Sequence, residues 1–224
     1  MSIRQAACHC GQLRLEVTGD PFVVSICHCL DCQRRTGSAF GMQSAFRPDQ
    51  VEIVGRYNDY SRISDEADEK EHVFHFCPEC GSQVFYIEPT EPDLIVISVG
   101  SFADPAFPPP TGSGYNTRRH EWLDLPASMG SYAPELWWPV HPLYESGQYA
   151  EAADRGRELL EAHPQYPDLA YNVACCESLG GRSADAIEHL RLAIDGSEQF
   201  RAMAADDSDF DPIRDEPAFR ELVS

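Results

Sequence analysis

The chain has 224 residues and a formal net charge of −20, with Lys70 as its single lysine. Binding to a phosphate backbone needs a surplus of basic side chains, so this charge argues against a nucleic-acid partner. A hydrophobic content of 42% is enough for a packed core. We find no signal-peptide pattern and no run near the roughly 18 apolar residues of a membrane span. We therefore expect a cytoplasmic protein with no membrane partner.

The first half of the chain is predicted to form β-strands. Short apolar runs there alternate with polar residues or continue between turn residues, a pattern typical of strands. The predicted strands are 13–17, 51–54, 73–76, 83–87 and 94–99. The acidic stretch 61–71 is expected to be a solvated loop or hairpin tip, and the Pro/Gly-rich stretch 105–114 an irregular loop. Residues 1–130 are thus predicted to form an all-β domain.

The second half is predicted to be helical and to repeat. Residues 147–153 are echoed by residues 181–187 at an offset of 34 positions. A period of this length built from two helices resembles the tetratricopeptide repeat, although Gly156 occupies a position that is usually bulky. We predict an all-α, tetratricopeptide-like helical hairpin domain at residues 131–224, with a capping tail from residue 199. The fold class expected for the chain is α+β, with two domains.

Seven of the nine cysteines fall into three tight clusters. Clustered thiols in a reducing compartment favour metal binding over disulfides. Seven ligands make one closed four-thiolate site and one three-thiolate site with an open position. Cys175 and Cys176 lie outside the clusters and are predicted to be buried apolar side chains. The clusters are Cys8-His9-Cys10, Cys27-His28-Cys29-Leu30-Asp31-Cys32 and Cys77-Pro78-Glu79-Cys80.

A three-thiolate zinc site can perform chemistry that a four-thiolate site cannot. An external thiol that enters the open position loses its proton, and the resulting thiolate can attack a small aldehyde. The compact group of Cys27, Cys29 and Cys32 suits this open site. That leaves the remaining cysteines for the closed site, although spacing alone permits other groupings. The predicted closed site comprises Cys8, Cys10, Cys77 and Cys80.

Three cysteine motifs follow one another along the chain. They are Cys8-His9-Cys10-Gly11, then Cys27-His28-Cys29 through Cys32 to Gly37 and Phe40, and then Phe76-Cys77 through Cys80-Gly81-Ser82. This ordered set resembles the glutathione-dependent formaldehyde-activating family. Segments 99–102 and 120–123 also look like family segments, so the resemblance covers about residues 4–128.

The resemblance implies a β-rich zinc fold of the Mss4-like or β-tent type, with two zinc ions per chain. It also implies the division of cysteines given above, with Cys27, Cys29 and Cys32 on the catalytic zinc. The family's activity is that of a carbon–sulfur lyase of the S-(hydroxymethyl)glutathione synthase type, which reversibly joins glutathione and formaldehyde. The expected partners are therefore a small thiol such as glutathione and a small aldehyde.

Several other side chains are weaker candidates. Arg34 and Arg35 follow the three-cysteine cluster and are predicted to bind a substrate carboxylate or to balance the thiolate charge. His9 and His28 lie between cysteines and are candidates for a role next to the metal ligands. His75 alternates with phenylalanines and is predicted to face outward.

Two further hypotheses use the same observations. In the first, both zinc sites are structural and the helical repeats bind a peptide, so that the chain is a non-catalytic interaction protein. In the second, the three-thiolate site exchanges zinc readily and serves metal buffering or thiol sensing.

Overall fold

The computed structural model describes residues 2–64, 70–126 and 128–224. Residues 65–69, at the centre of the predicted acidic loop, lie outside the described residues. The chain divides into two compact units, residues 1–129 and 130–224, which are described separately below. Among the described residues, no helix is both long enough and apolar enough to cross a bilayer.

The first unit is rich in β-structure and contains two sheets. The smaller sheet has the order β1-β2-β5, and the larger sheet includes the run β10-β3-β4-β9-β8-β7-β6. One short helix, α1 (Leu30–Thr36), follows β3. The strands are β1 (Ile3–Ala7), β2 (Arg14–Thr18), β3 (Val23–Cys27), β4 (Gly41–Phe46), β5 (Val51–Val54), β6 (Asn58–Ile63), β7 (Glu71–Phe76), β8 (Gln83–Ile87), β9 (Ile95–Ser98) and β10 (Gly112–Gly114).

The core of this unit comes from the inward-facing residues of the alternating strands. In β2, Leu15 and Val17 are buried while Arg14 and Glu16 are exposed, as a two-residue period requires. Phe46 belongs to the same buried cluster, which also receives apolar side chains from β8 and β9. The packed sheets give rigid support to the turns that carry the cysteines.

Three sequence expectations for this unit need correction. The unit is not all-β, because α1 carries Cys32. The stretch 105–114 is not wholly irregular, because it contains β10, which pairs in parallel with β3. The segment 61–71, predicted to be a solvated loop or hairpin tip, does connect two antiparallel strands, but its ends belong to those strands, because β6 continues to Ile63 and β7 begins at Glu71.

The second unit is helical after its short first strand, β11 (Gly130–Ser131). The helix α4 begins and ends 34 positions before α6, in agreement with the repeat seen in the sequence. The helices are α2 (Pro134–Trp137), α3 (His141–Glu145), α4 (Tyr149–Ala162), α5 (Pro167–Leu179), α6 (Ser183–Gly196), α7 (Gln199–Asp206) and α8 (Pro217–Val223). Whether these repeats are tetratricopeptide repeats stays a prediction.

Local residues explain the departures from a regular repeat. One period before α5, the chain forms two short helices, α2 and α3, instead of one long helix. Pro139 lies between them, and a proline has no backbone N–H to donate to a continuous helix. A β-carbon on Gly156 would lie 2.7 Å from both Trp137 and Val173, so the indole fills the space that a bulky residue usually takes. The C-terminal tail adds buried aromatic side chains, including Phe210, to the core.

Candidate metal centres and the adjoining cavity

Four cysteines that are distant in sequence meet in the first unit. The ligand atoms of this four-cysteine group lie within 4.8 Å of one another. The Sγ atom of Cys10 lies 3.5 Å from that of Cys8 and 3.7 Å from that of Cys77. Contact with Ser82 lowers the pKa of the Cys80 thiol to about 5, which favours the thiolate that a metal ion requires. The members of the group are Cys8, Cys10, Cys77 and Cys80.

The two halves of this group sit on matching turns. Gly11 has a φ of +77° and donates its N–H to the Cys8 carbonyl, and Gly81 has a φ of +72° and donates to the Cys77 carbonyl. Side chains rarely adopt this left-handed conformation, so glycine suits both positions. The backbone N–H of Leu13 also donates to Cys8 Sγ at 3.3 Å, which supports negative charge on that sulfur.

The other three clustered cysteines form a second group, whose ligand atoms also lie within 4.8 Å of one another. Cys27 ends β3, and Cys29 is the N-cap of α1, where its Sγ accepts the backbone N–H of Cys32 at 3.2 Å. Contacts with Cys27 and Cys29 hold the pKa of the Cys32 thiol at about 2, while contacts within the group raise the pKa of Cys27 well above its ordinary value. These shifts favour a thiolate at Cys32.

Arg35 lies beside the three-cysteine group. Its Nη2 atom is 3.5 Å from Cys32 Sγ, and its Nη1 atom donates to Gln83 Oε1 at 2.5 Å. Ser98 Oγ donates to the same oxygen of Gln83 at 2.9 Å. These contacts connect the sulfur to two neighbouring strands, β8 and β9. Sequence reasoning did not identify Gln83, because a lone glutamine in a strand has no distinguishing local pattern.

A cavity of about 620 Å³ adjoins the three-cysteine group. All three of its cysteines line the cavity, whereas none of the sulfur ligands of the four-cysteine group does. On the β7 and β8 side the lining includes the aromatic rings of Phe74, Phe76 and Tyr86, together with His72 and Gln83. Desolvation raises the pKa of Tyr86 well above its ordinary value, so its hydroxyl is neutral at physiological pH.

The two candidate arginines are in different environments. Both line the cavity. The Arg34 side chain is 71% exposed and lies 3.9 Å from Asp31, a weak surface contact. Arg35 is partly buried against Cys32 instead. Their roles in binding substrate stay predictions.

Among the residues that the structure describes, no hydrogen bond joins the ring of His9, His28 or His75 to a cysteine sulfur. His28 is fully buried, and its Nε2 atom lies 3.1 Å from Ser113 Oγ. Burial lowers its pKa, so it is neutral. The expectation that His75 faces outward is wrong: it is 7% exposed, stacks on Phe85 and lies 2.7 Å from Asp59.

The second unit contains one further group of potential ligands, formed by Cys175, Asp207 and Asp209. Tyrosine hydroxyls already satisfy both carboxylates, since Tyr171 donates to Asp207 at 2.7 Å and Tyr144 to Asp209 at 2.9 Å. Burial raises the pKa of Cys175 well above its ordinary value. Cys175 and Cys176 are both buried, as predicted.

A sheet-rich unit with two cysteine groups, one of them open to a cavity, defines an α+β protein with candidate metal centres. Residues 3–118 match the sequence model of the family described as "GFA: Glutathione-dependent formaldehyde-activating enzyme". This match covers more than half of the chain, which therefore belongs to the glutathione-dependent formaldehyde-activating enzyme family.

Two other comparisons add little to this result. A crystal structure of a Rhodobacter sphaeroides protein is similar with a TM-score of 0.35 and 19% sequence identity, over 47% of this chain and 91% of that chain. Among curated proteins, none matches this chain at a significant level.

Proposed function

We propose that this chain is a zinc-dependent carbon–sulfur lyase of the formaldehyde-activating type. It joins or splits a glutathione-like thiol and a small aldehyde at Cys27, Cys29 and Cys32. The observation that carries this proposal is that all three cysteines of the smaller group line the cavity of about 620 Å³, whereas no cysteine of the four-cysteine group lines it. A closed group suits a structural ion, and an open group suits a reactive one.

The donor atoms of both groups fit zinc. Sulfur ligands favour zinc over magnesium, calcium or manganese, which prefer oxygen. Four thiolates complete a tetrahedral zinc site, and three leave one place for an external ligand. We therefore propose two zinc ions per chain. The structural ion is held by Cys8, Cys10, Cys77 and Cys80, and the catalytic ion by Cys27, Cys29 and Cys32.

Zinc bound to the three-cysteine group supplies a cationic centre that keeps an incoming thiol ionised at neutral pH. The rest of the reaction depends on the cavity. Its volume is typical of pockets that enclose a ligand the size of a tripeptide. The aromatic wall of Phe74, Phe76 and Tyr86 limits access of water to the sulfur, so the thiolate stays reactive toward an aldehyde. The sulfur lone pair then forms the carbon–sulfur bond while the π bond of the aldehyde C=O opens, and the oxygen takes up one proton in place of the proton that the thiol released. In the reverse direction the oxygen loses its proton, the C=O bond re-forms and the carbon–sulfur bond breaks.

The proposal is tested by nuclear magnetic resonance exchange spectroscopy on mixtures of glutathione and formaldehyde. This method measures the rate at which the adduct forms and dissociates. We expect the wild type to accelerate this exchange. Cys32→Ala should abolish the acceleration and lower the zinc content from two ions to one. Cys176→Ala, which removes a buried thiol outside both groups, should keep the rate and both ions.

Two results would contradict the proposal. If Cys32→Ala exchanges substrate as fast as the wild type, the three-cysteine group is not the reactive site. If the cobalt-substituted wild type holds two ions but its thiolate absorption does not change when glutathione is added, the group is closed to thiols. The non-catalytic interaction hypothesis, with a peptide bound by the helical repeats, would then be preferred.

A further inference from the structure

The guanidinium of Arg35 is held in one orientation next to the three-cysteine group. Besides the contacts with Cys32 and Gln83, its Cζ atom lies 5.3 Å from the ring centre of Phe74 and 5.6 Å from that of Tyr86. Aromatic faces at these distances attract a guanidinium and restrict its rotation. The β4 strand approaches closely at Gly41, where a β-carbon would lie 3.1 Å from Arg35 Nη2. Arg35 is therefore fixed before any ligand binds.

The positive charge of Arg35 is not matched by a carboxylate anywhere in the described parts of the chain. The other two arginines that line the cavity, Arg34 and Arg62, both contact Asp31, at 3.9 and 2.8 Å. A guanidinium has five N–H donors, and the contacts with Cys32 and Gln83 engage only some of them. Arg35 thus brings unused donors to the cavity, and the anionic group that it faces is the Cys32 sulfur.

The position of Arg35 limits what it can bind. In glutathione, each carboxylate is separated from the sulfur by several bonds. In a hemithioacetal, the oxygen that comes from the aldehyde is only two bonds from the sulfur. Because Arg35 contacts the three-cysteine group itself, its donors are placed for the nearer oxygen. This role differs from the carboxylate contact predicted from the sequence.

We propose that Arg35 binds the aldehyde oxygen and stabilises the negative charge that develops on it; this inference rests on the proposed function. In the forward direction the thiolate sulfur donates an electron pair to the carbonyl carbon, and the π electrons of the C=O bond move to oxygen. Arg35 N–H groups hold the resulting alkoxide, which takes a proton from water. The proton that the thiol released on binding neutralises the hydroxide. The reverse reaction follows the same steps, and Gln83 acts as a positioning residue.

The test compares Arg35→Met and Arg35→Lys with Arg14→Gln, which removes an exposed arginine of the same unit. Rates are expressed per bound zinc ion. Removing an oxyanion donor typically lowers kcat by about 100- to 1,000-fold, and we expect this loss in Arg35→Met with little change in the KM for glutathione. Arg35→Lys keeps the positive charge but lacks the planar set of guanidinium N–H donors, so it should recover only part of the wild-type rate. Arg14→Gln should equal the wild type.

A second readout does not depend on turnover. In the nuclear magnetic resonance spectrum of the zinc-loaded, glutathione-bound wild type, the Nε–H resonance of Arg35 should shift when formaldehyde is added. This resonance is assigned to Arg35 because it is absent from the spectrum of Arg35→Met. An unchanged kcat with a raised KM for glutathione would overturn the inference in favour of a carboxylate contact. A wild-type rate in Arg35→Met, or an Nε–H resonance that does not move, would overturn it and leave the proposed function standing. A wild type without any acceleration would reject both.

Discussion

A β-carbon placed on Gly41 would lie 3.3 Å from the Cβ atom of Cys32. Gly41 pairs with Cys27 in the β3–β4 ladder, so the strand touches two members of the three-cysteine group. The bare backbone at this position allows α1 to lie against the sheet with its cysteine turned toward the other sulfurs. A glycine within a strand commonly marks such a close approach.

We expect Gly41→Ala to displace Cys32 and Arg35 and to weaken metal binding at the three-cysteine group. The added methyl group would lie 3.1 Å from Arg35 Nη2 and 3.3 Å from Cys32 Cβ, closer than an ordinary van der Waals contact. We therefore expect a loss of stability of about 1 kcal/mol. Zinc affinity and exchange rate are the measurements. Gly100→Ala is the matched control, because its β-carbon would meet nothing within 4 Å. Equal zinc affinity in the two variants would refute this account of Gly41.

The four-cysteine group should be needed for folding. We expect Cys80→Ser to bind one zinc ion fewer than the wild type. Residues 1–129 of this variant should no longer unfold cooperatively, because structural zinc sites supply about 10–16 kcal/mol of apparent binding free energy in small domains. Hydrogen exchange and zinc analysis measure this. Cys29→Ser should also lose one ion but keep protection in β8 and β9. Similar protection losses in both variants would mean that the two groups are equally structural.

Gly156 should tolerate no side chain, although alanine is the better helix former by about 1 kcal/mol. The methyl group of Gly156→Ala would overlap with Trp137 and Val173, and overpacking of this kind typically costs about 1–3 kcal/mol. Urea unfolding followed by far-ultraviolet circular dichroism gives the difference. Arg155→Ala, on the exposed side of the same helix, should change little. A Gly156→Ala protein as stable as the wild type would mean that the indole moves without cost.

The second unit should become less stable as the pH rises above about 6.5, the ordinary pKa of histidine. Glu177 is fully buried and lies 2.7 Å from His189 Nδ1, and this contact raises the pKa of His189 against the opposing effect of burial. Because the pKa of His189 is higher in the folded than in the unfolded state, the contact stabilises the protein fully below the unfolded-state pKa of about 6.5. This contribution disappears as the pH rises through the folded-state pKa. Arg157 remains as the second partner of Glu177 throughout.

Hydrogen exchange of α5, measured from pH 5.5 to 8.5, tests this prediction. The pH dependence should be reduced in His189→Gln and retained in His163→Gln, whose histidine contacts no carboxylate among the described residues. An unchanged pH dependence in His189→Gln would assign the effect to another group. Burial raises the pKa of Asp168 to about 6, so any loss of stability from that group is confined to the acid end of this pH range.

Local patterns in the sequence predicted the regular parts of the fold well. Strands β5 and β8 have the predicted bounds, because β5 alternates apolar and polar residues and β8 is an apolar run that follows a clear turn. The repeat offset likewise anticipated α4 and α6. The helix α1 was missed because its seven residues bury no apolar face; it is defined instead by Cys29 as its N-cap and by Gly37 in the left-handed conformation at its end.

Features that depend on pairing between distant strands were not predictable in the same way. The strand β10 is short and glycine-rich, and it forms because it continues the sheet beside β3. His75 lies on a strand between two neighbours, where Tyr57 and Phe85 cover its ring. Spacing alone could identify which residues are able to bind a metal ion. It could not show that the three-cysteine group lines the cavity of about 620 Å³.

The four-cysteine group joins Cys10 to Cys77, and the chain between them contains the whole three-cysteine group. During synthesis the N-terminal cysteines leave the ribosome long before their partners. The first complete set of clustered cysteines to emerge is therefore the three-cysteine group, which ends at Cys32. On the proposed assignment of the two zinc sites, a metal ion that arrives early meets the catalytic group before the structural group is complete, and the supply of zinc during translation would influence which site is loaded first.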